Sequence, residues 1–249
     1  MLRTLARSSA VIFLLCGIIV PGLVFSGCSK GPLGGAPMEF ACDYQADFVQ
    51  KIVRAGAATT VMEGNIYTDC ELTRTENRMV QPGAPSFVMI MISRPDKGVN
   101  WQLFPKSMKY VETPIEPVTD MSEGAPLLIN PKDVTVDSEK IGEETVDGHP
   151  CIKWKVTTTM PDGKTFVYYS WGAQDLDNFA IKKEFETVPG ESMVIEYSNV
   201  VLGKPDSSVF EIPAGYVLAP ESEMNMLMMT EMGISIPYGM PMMPPMGNQ

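Results

Sequence analysis

From residue 40 to residue 216 the chain is a succession of short runs rich in β-branched, aromatic and alternating residues. Each run is stopped by a cluster of Pro, Gly, Asp or Asn, and stretches of helical period are scarce. This punctuation constrains the fold more than any other feature. Strands joined by tight turns need no helical crossovers, so they pair antiparallel and belong to one sheet. Hydrophobic residues at 45% and charged residues at 20% are enough for a packed core and exclude a disordered or coiled-coil chain.

The runs can be placed individually. Residues 43–53 and 61–78 flank Arg54-Ala55-Gly56-Ala57-Ala58, and a turn centred on Gly56 sets Cys42 opposite Cys70. That register allows a cross-strand Cys42–Cys70 disulfide; the alternative is two small buried hydrophobes. Residues 87–93, 99–103 and 108–112 form a meander around Arg94-Pro95-Asp96-Lys97-Gly98 and Pro105-Lys106-Ser107. Between 113 and 131 the pattern lapses into Pro, Gly and acidic residues, a long connection or lid.

In the second half, residues 151–159 and 165–171 flank Met160-Pro161-Asp162-Gly163-Lys164. A turn centred there puts Trp154 opposite Tyr169, Val156 opposite Val167 and Ile152 opposite Trp171, with Lys153, Lys155 and Thr157 on the other face. Residues 179–187 and 193–200 flank Pro189-Gly190-Glu191, with Phe185 opposite Ile195.

The formal charge of −11 and pI near 4.6 exclude nucleic-acid binding, which needs clustered Lys and Arg. A single histidine, His149, leaves multi-His metal sites and most triad chemistry without their residues. His149-Pro150-Cys151 brings imidazole and thiol together in sequence, but no oriented base or oxyanion motif accompanies them. The expectation is no catalytic residue, no metal site, no cofactor and no enzymatic activity.

The N-terminus reads as an export signal. Arg3 and Arg7 precede an apolar stretch over residues 10–20, broken by Pro21 and Gly22 and shorter than the roughly 20 residues of a spanning helix. Val24-Phe25-Ser26-Gly27-Cys28 resembles the bacterial lipobox, with Phe25 where Leu is usual. The resemblance implies cleavage after residue 27, lipidation of Cys28 as the membrane anchor and, because Ser29 is not Asp, export to the periplasmic face of the outer membrane. The domain plan is thus a signal peptide at 1–27, an anchor and Gly/Pro-rich tether at 28–38, a folded domain at 39–219 and a Met/Pro-rich tail at 220–249.

Three blocks carry a further resemblance. Arg94-Pro95-Asp96-Lys97-Gly98-Val99-Asn100-Trp101-Gln102-Leu103-Phe104-Pro105, ending in Lys109-Tyr110, the stretch from Gly142 to Cys151, and the stretch from Val201 to Tyr216 with its close Phe210-Glu211-Ile212-Pro213-Ala214-Gly215-Tyr216 are similar to LolA/LolB-like proteins, over roughly residues 40–217. This resemblance implies an open, curved antiparallel half-barrel, with short helices or loops over a hydrophobic concave face that holds a lipoprotein acyl chain in the carriers. Alternation then selects Trp101, Leu103, Trp154, Val156, Val167, Tyr169, Phe185 and Ile195 as ligand-lining residues. The expected function is a lipid-anchored envelope lipoprotein binding a hydrophobic ligand or acyl chain. The alternatives are a non-catalytic interaction module and, third, a copper binder.

The copper reading comes from the C-terminus, where nine of the 19 methionines fall between Met224 and Met246. Pro220-Glu221-Ser222-Glu223 reads as a helix start and Gly233 as its stop, so residues 224–232 form a short helix with Met224, Leu227 and Met228 on one face. This helix is expected to pack across the mouth of the sheet, or to serve as an adaptable docking surface.

Overall fold

A computed structural model describes residues 42–80, 86–115, 135–160 and 162–234. The expected signal peptide, Cys28, the expected tether, most of the 113–131 connection and the tail beyond residue 234 lie outside the described residues.

The strands are β1 (Asp43–Arg54), β2 (Ala57–Asp69), β3 (Leu72–Met79), β4 (Phe87–Arg94), β5 (Val99–Phe104), β6 (Lys109–Pro114), β7 (Thr135–Val146), β8 (His149–Thr159), β9 (Thr165–Ala173), β10 (Phe179–Val188), β11 (Glu191–Leu202) and β12 (Val217–Ala219), followed by helix α1 (Met224–Glu231). They form one 12-stranded sheet in the order β12-β6-β5-β4-β3-β2-β1-β11-β10-β9-β8-β7. β12 and β7 are its two edges, so the sheet does not close and the architecture is an open half-barrel. The chain meanders from β1 out to β6, crosses to the opposite edge at β7, and meanders back until β11 pairs with β1. Every pairing is antiparallel except that of β12, which returns parallel to β6.

The expected run 61–78 is two strands, because Cys70 turns the chain with a positive φ of 42°. β7 and β12 were not legible as strands. β7 lies at an edge, carries Asp137, Glu139, Lys140, Glu143 and Glu144, and has no fully buried residue, so it lacks the alternation that marks a half-buried strand. Its closing turn was legible: Asp147 and Gly148 take φ of 50° and 84°, the paired positive values of a tight hairpin.

The two sides of the sheet are packed by different segments. On the outer side Ile90, Ile92, Trp101 and Leu103 are buried beneath Phe210, with Val209, Ile212 and Tyr216 around it. Two arginines tie down this 209–216 strap. Arg74 Nη1 donates to the Val209 carbonyl at 3.1 Å, and Arg94 Nη1 donates to the Phe210 carbonyl at 3.1 Å and to Glu211 Oε1 at 2.6 Å. Trp101 and Leu103 are therefore core residues here. Burial of each such side chain contributes about 1.5–3 kcal/mol.

On the inner side α1 packs its Leu227, flanked by Met224 and Met228, against Phe104, Val111 and Ala219. This is the face expected for the helix, packed on β5, β6 and β12 at one edge of the sheet. It ends where Gly233 takes a φ of 72°, the usual glycine stop. Met226 and Met229 point away to solvent, so the described methionine sulfurs are spread around the helix instead of converging as a copper site requires.

Candidate binding face

The inner face is built from alternate residues of consecutive strands, and register decides its membership. Across eight strands the cross-strand partners run Trp154, Ser170, Lys183, Ile195, Gln50, Met62, Met79 and Phe87. A parallel row runs Val156, Tyr168, Phe185 and Met193. Tyr168 and Phe185 stack with ring centroids 5.4 Å apart, and Phe48, Ile66 and Tyr197 continue the apolar surface toward β1 and β2. The result is a wall of thioethers and aromatic rings, side chains that adapt to irregular apolar shapes.

Four predicted lining residues, Trp154, Val156, Phe185 and Ile195, stand on this wall; Trp101, Leu103, Val167 and Tyr169 stand on the opposite face. For Val167 and Tyr169 the cause is one residue of register, whereas Trp101 and Leu103 belong to the second apolar face of their meander. In the β8–β9 hairpin Thr159 pairs with Thr165, so Trp154 faces Ser170, Val156 faces Tyr168, and Val167 and Tyr169 join Lys155 and Thr157. The loop 160–164 is centred on Asp162, so Trp154 meets Ser170, one residue from the expected Tyr169; Gly163, at φ 83°, donates to the Met160 carbonyl within the loop. On that outer side Lys153 Nζ lies 5.3 Å from the Tyr169 ring centroid and 4.5 Å from that of Trp171, and Trp171 donates to Glu144. In the β10–β11 hairpin the slip is two residues: Phe185 faces Met193 and Ile195 faces Lys183. An even slip keeps both on the expected face.

The β1–β2 hairpin has the expected register at its far end, Asp43 opposite Asp69, because a bulge near Val61 compensates for a tighter turn at Ala55-Gly56. The Cys42–Cys70 disulfide is nevertheless not made: Cys70 is a free thiol. Its left-handed backbone at the turn directs Sγ to Asp43 Oδ1, 3.3 Å away, while its amide donates to the Cys42 carbonyl at 3.1 Å. Burial, then the hydrogen bond to Asp43, pushes the Cys70 thiol up to about 11.

His149 Nδ1 is 2.9 Å from Asp175 Oδ2, and Cys151 Sγ donates to the His149 carbonyl at 3.3 Å. The thiol is buried and raised by that burial, the reverse of the activation a nucleophile needs.

Sequence reasoning missed the β1–β3 part of the wall and its polar centre. The alternation Ala46, Phe48, Gln50 in β1 was the available signal. At the centre, burial holds the Lys183 amine down to about 8 and pushes the Tyr168 and Tyr197 hydroxyls up to about 12. Ser170 is fully buried and its Oγ has no hydrogen-bond partner. A second concavity, a groove of about 390 Å³ beside Gly64 on the outer face, is lined by Asp47, Glu63, Asn65, Glu76 and Arg78. Phe48, Val49 and Val88 also line it, and its polar groups pair with one another, as in the hydrogen bond from Asn65 to Asp47 and the ion pair between Arg78 and Glu63.

No family model matches the chain, and the comparison with curated proteins finds no match. Solved structures do match. The lipoprotein LppX of Mycobacterium tuberculosis is similar at 12% identity and a TM-score of 0.32, covering 65% of this chain and 88% of LppX. A LolA superfamily protein from Nitrosomonas europaea is similar at 13% identity and a TM-score of 0.31, covering 69% of this chain and 90% of that one. A DUF1329 family protein from Desulfovibrio piger is similar at 16% identity and a TM-score of 0.28, with coverage of 69% and 90%.

Proposed function

We propose that this chain is a bacterial envelope lipoprotein, anchored through Cys28 at the periplasmic face of the outer membrane, whose inner face binds an acyl chain or a similarly hydrophobic ligand without catalysis. The observation that carries this reading is the inner wall. Methionines and aromatic rings from β8 to β4 share one face, interrupted at its centre by Ser170, Lys183 and Gln50, and the opposite face is closed beneath the 209–216 strap. Each methylene of a ligand buried against such a wall contributes about 0.8 kcal/mol, so a long acyl chain is the natural occupant. The lipobox-like segment ending in Cys28 and the resemblance to LolA/LolB-like proteins support the same reading.

The test is native mass spectrometry of the exported chain carrying Cys28→Ala, purified gently from a bacterial envelope. A co-purifying lipid-sized mass that disappears with Trp154→Asp is the expected result. Repeated recovery of bare protein would overturn the reading and favour an interaction scaffold.

A further inference from the structure

The inner wall is buried more deeply than the described elements account for. Val156 and Ser170 are 0% exposed, and Gln50 and Met62 are 7% exposed. Because the sheet does not close, curvature crowds neighbouring side chains sideways but leaves this side open. Among the described residues, helix α1 covers only the β5, β6 and β12 corner of the face, and the 209–216 strap lies on the opposite one. An antiparallel sheet face is either solvated or packed, and side chains sealed to this degree in the middle of the wall belong to a packed one.

Helix α1 delivers a segment to this face. Its last turn is fastened to the β5–β6 turn, where Glu231 Oε1 accepts from the Lys106 and Ser107 amides, and Ile234 donates back to the Met229 carbonyl at 2.9 Å. Ile90 faces Leu103 across the β4–β5 pair, so the β5–β6 turn and Phe87, the first residue of the wall's row, share one end of the sheet. Residues 235–249 follow, with Tyr238, Met240, Met242, Met243 and Met246 among prolines and no Asp, Glu, Lys or Arg, in a chain that is 20% charged. At the ~3.1 Å rise of a Pro-rich extended segment they reach about 45 Å. The row from Phe87 to Trp154 crosses β4 to β8 through strands spaced ~4.8 Å apart, about 34 Å in all. Methionine suits an irregular apolar surface of this kind. The 113–131 connection, by contrast, carries Glu116, Asp120 and Glu123, charges that an apolar wall would strip of water.

We propose that residues 235–249 fold back from α1 onto the inner wall and occupy it as an internal surrogate for the acyl ligand. The segment shields the wall from water while no ligand is bound, and an acyl chain enters by displacing it. Only the fraction of molecules with the segment unseated is competent to bind, so the segment lowers the apparent affinity by that fraction. This inference rests on the acyl-binding reading above and adds its regulation.

Two measurements test it, both on the full chain carrying Cys28→Ala and stripped of lipid. In the first, the photo-reactive residue p-benzoylphenylalanine replaces Met242 and the cross-linked peptides are mapped by mass spectrometry. Cross-links to inner-wall residues such as Met62, Met79, Ile195 or Trp154 are expected. Cross-links confined to the strap and the outer face, or none at all, would overturn the proposal. In the second, laurate is titrated into the unsubstituted chain and into Met242→Gln/Met243→Gln, which keeps side-chain length but makes the segment polar, and binding is read from the bound mass. At least five-fold tighter binding by the doubly substituted chain is expected. Equal affinity of the two chains would overturn displacement while leaving acyl binding intact. Failure of laurate to bind either chain would sink the acyl-binding reading and with it the segment's role as a surrogate, whereas the cross-link map still reports where the segment sits.

Discussion

The Phe48 ring on β1 lies across Gly64 on β2, its Cε1 3.2 Å from the point where a Cβ at residue 64 would stand. A methyl group there would also overlap the Glu76 carbonyl of the neighbouring strand, which is backbone and cannot step aside. Gly64 is therefore where the wall admits an aromatic ring flat against the sheet. Gly64→Ala should destabilise the protein by about 1–3 kcal/mol through overpacking, read as a lower urea midpoint with an unchanged slope.

Helix α1 is held by a buried carboxylate. Glu231 is 1% exposed, and its Oε1 accepts from the backbone amides of Lys106 at 2.9 Å and Ser107 at 3.2 Å. Lys106 Nζ in turn donates to the Glu231 carbonyl. Glu231→Ala should cost about 1–3 kcal/mol and release the helix first. Hydrogen exchange would show faster exchange confined to residues 224–231, and equal protection in both proteins would refute the latch.

Lys183 makes stability depend on alkaline pH. Its folded value of about 8 lies below the ordinary 10.5, so between these values the unfolded chain binds more protons than the folded one. Stability accordingly rises as pH increases from about 8 to 10.5, and the full cost of the buried charge is present below pH 8. Lys183→Met should flatten this rise, because the group whose proton binding differs between the folded and unfolded chain is then gone. Denaturant midpoints measured from pH 7 to 10.5 would decide it.

The outer strap should respond to acid. Arg94 holds the Asp96 and Glu211 carboxyls below their usual range through hydrogen bonds of 2.7 Å and 2.6 Å. A depressed carboxyl contributes stability above its unfolded value that is lost as pH falls through its folded value. In Arg94→Ala the Phe210 carbonyl also loses its donor. This variant should be less stable by about 2 kcal/mol at pH 7 and lose less stability on acidification than the unsubstituted protein. A steeper acid dependence would contradict the assigned pairing.

Strand content, antiparallel pairing, most turns and the C-terminal helix were legible because each is local. Gly98, Gly163 and Gly190 adopt the positive φ that the turn-forming clusters around them suggested, and Gly233 ends α1. β7 escaped notice because an edge strand with charged residues on both sides leaves no periodic trace, and β12 because three residues carry none. The candidate site was half legible. Trp154, Val156, Phe185 and Ile195 were identified on the wall, whereas Lys183 was not singled out.

By itself the sequence determined that this chain forms a single, mainly antiparallel sheet, with turns near Gly56, Gly98, Gly148, Gly163 and Gly190 and a short helix after Pro220. Only the tertiary structure decided which face each side chain joins. Both faces carry large apolar residues here, Trp101 and Leu103 on one and Trp154 and Val156 on the other, so alternation could not name the inner one. A side-chain period of two makes face membership depend on whether the residues between paired strands are odd or even in number. One extra residue in a bulge, as near Val61, reverses that parity, and its effect on pairing is settled when the strands meet across the sheet.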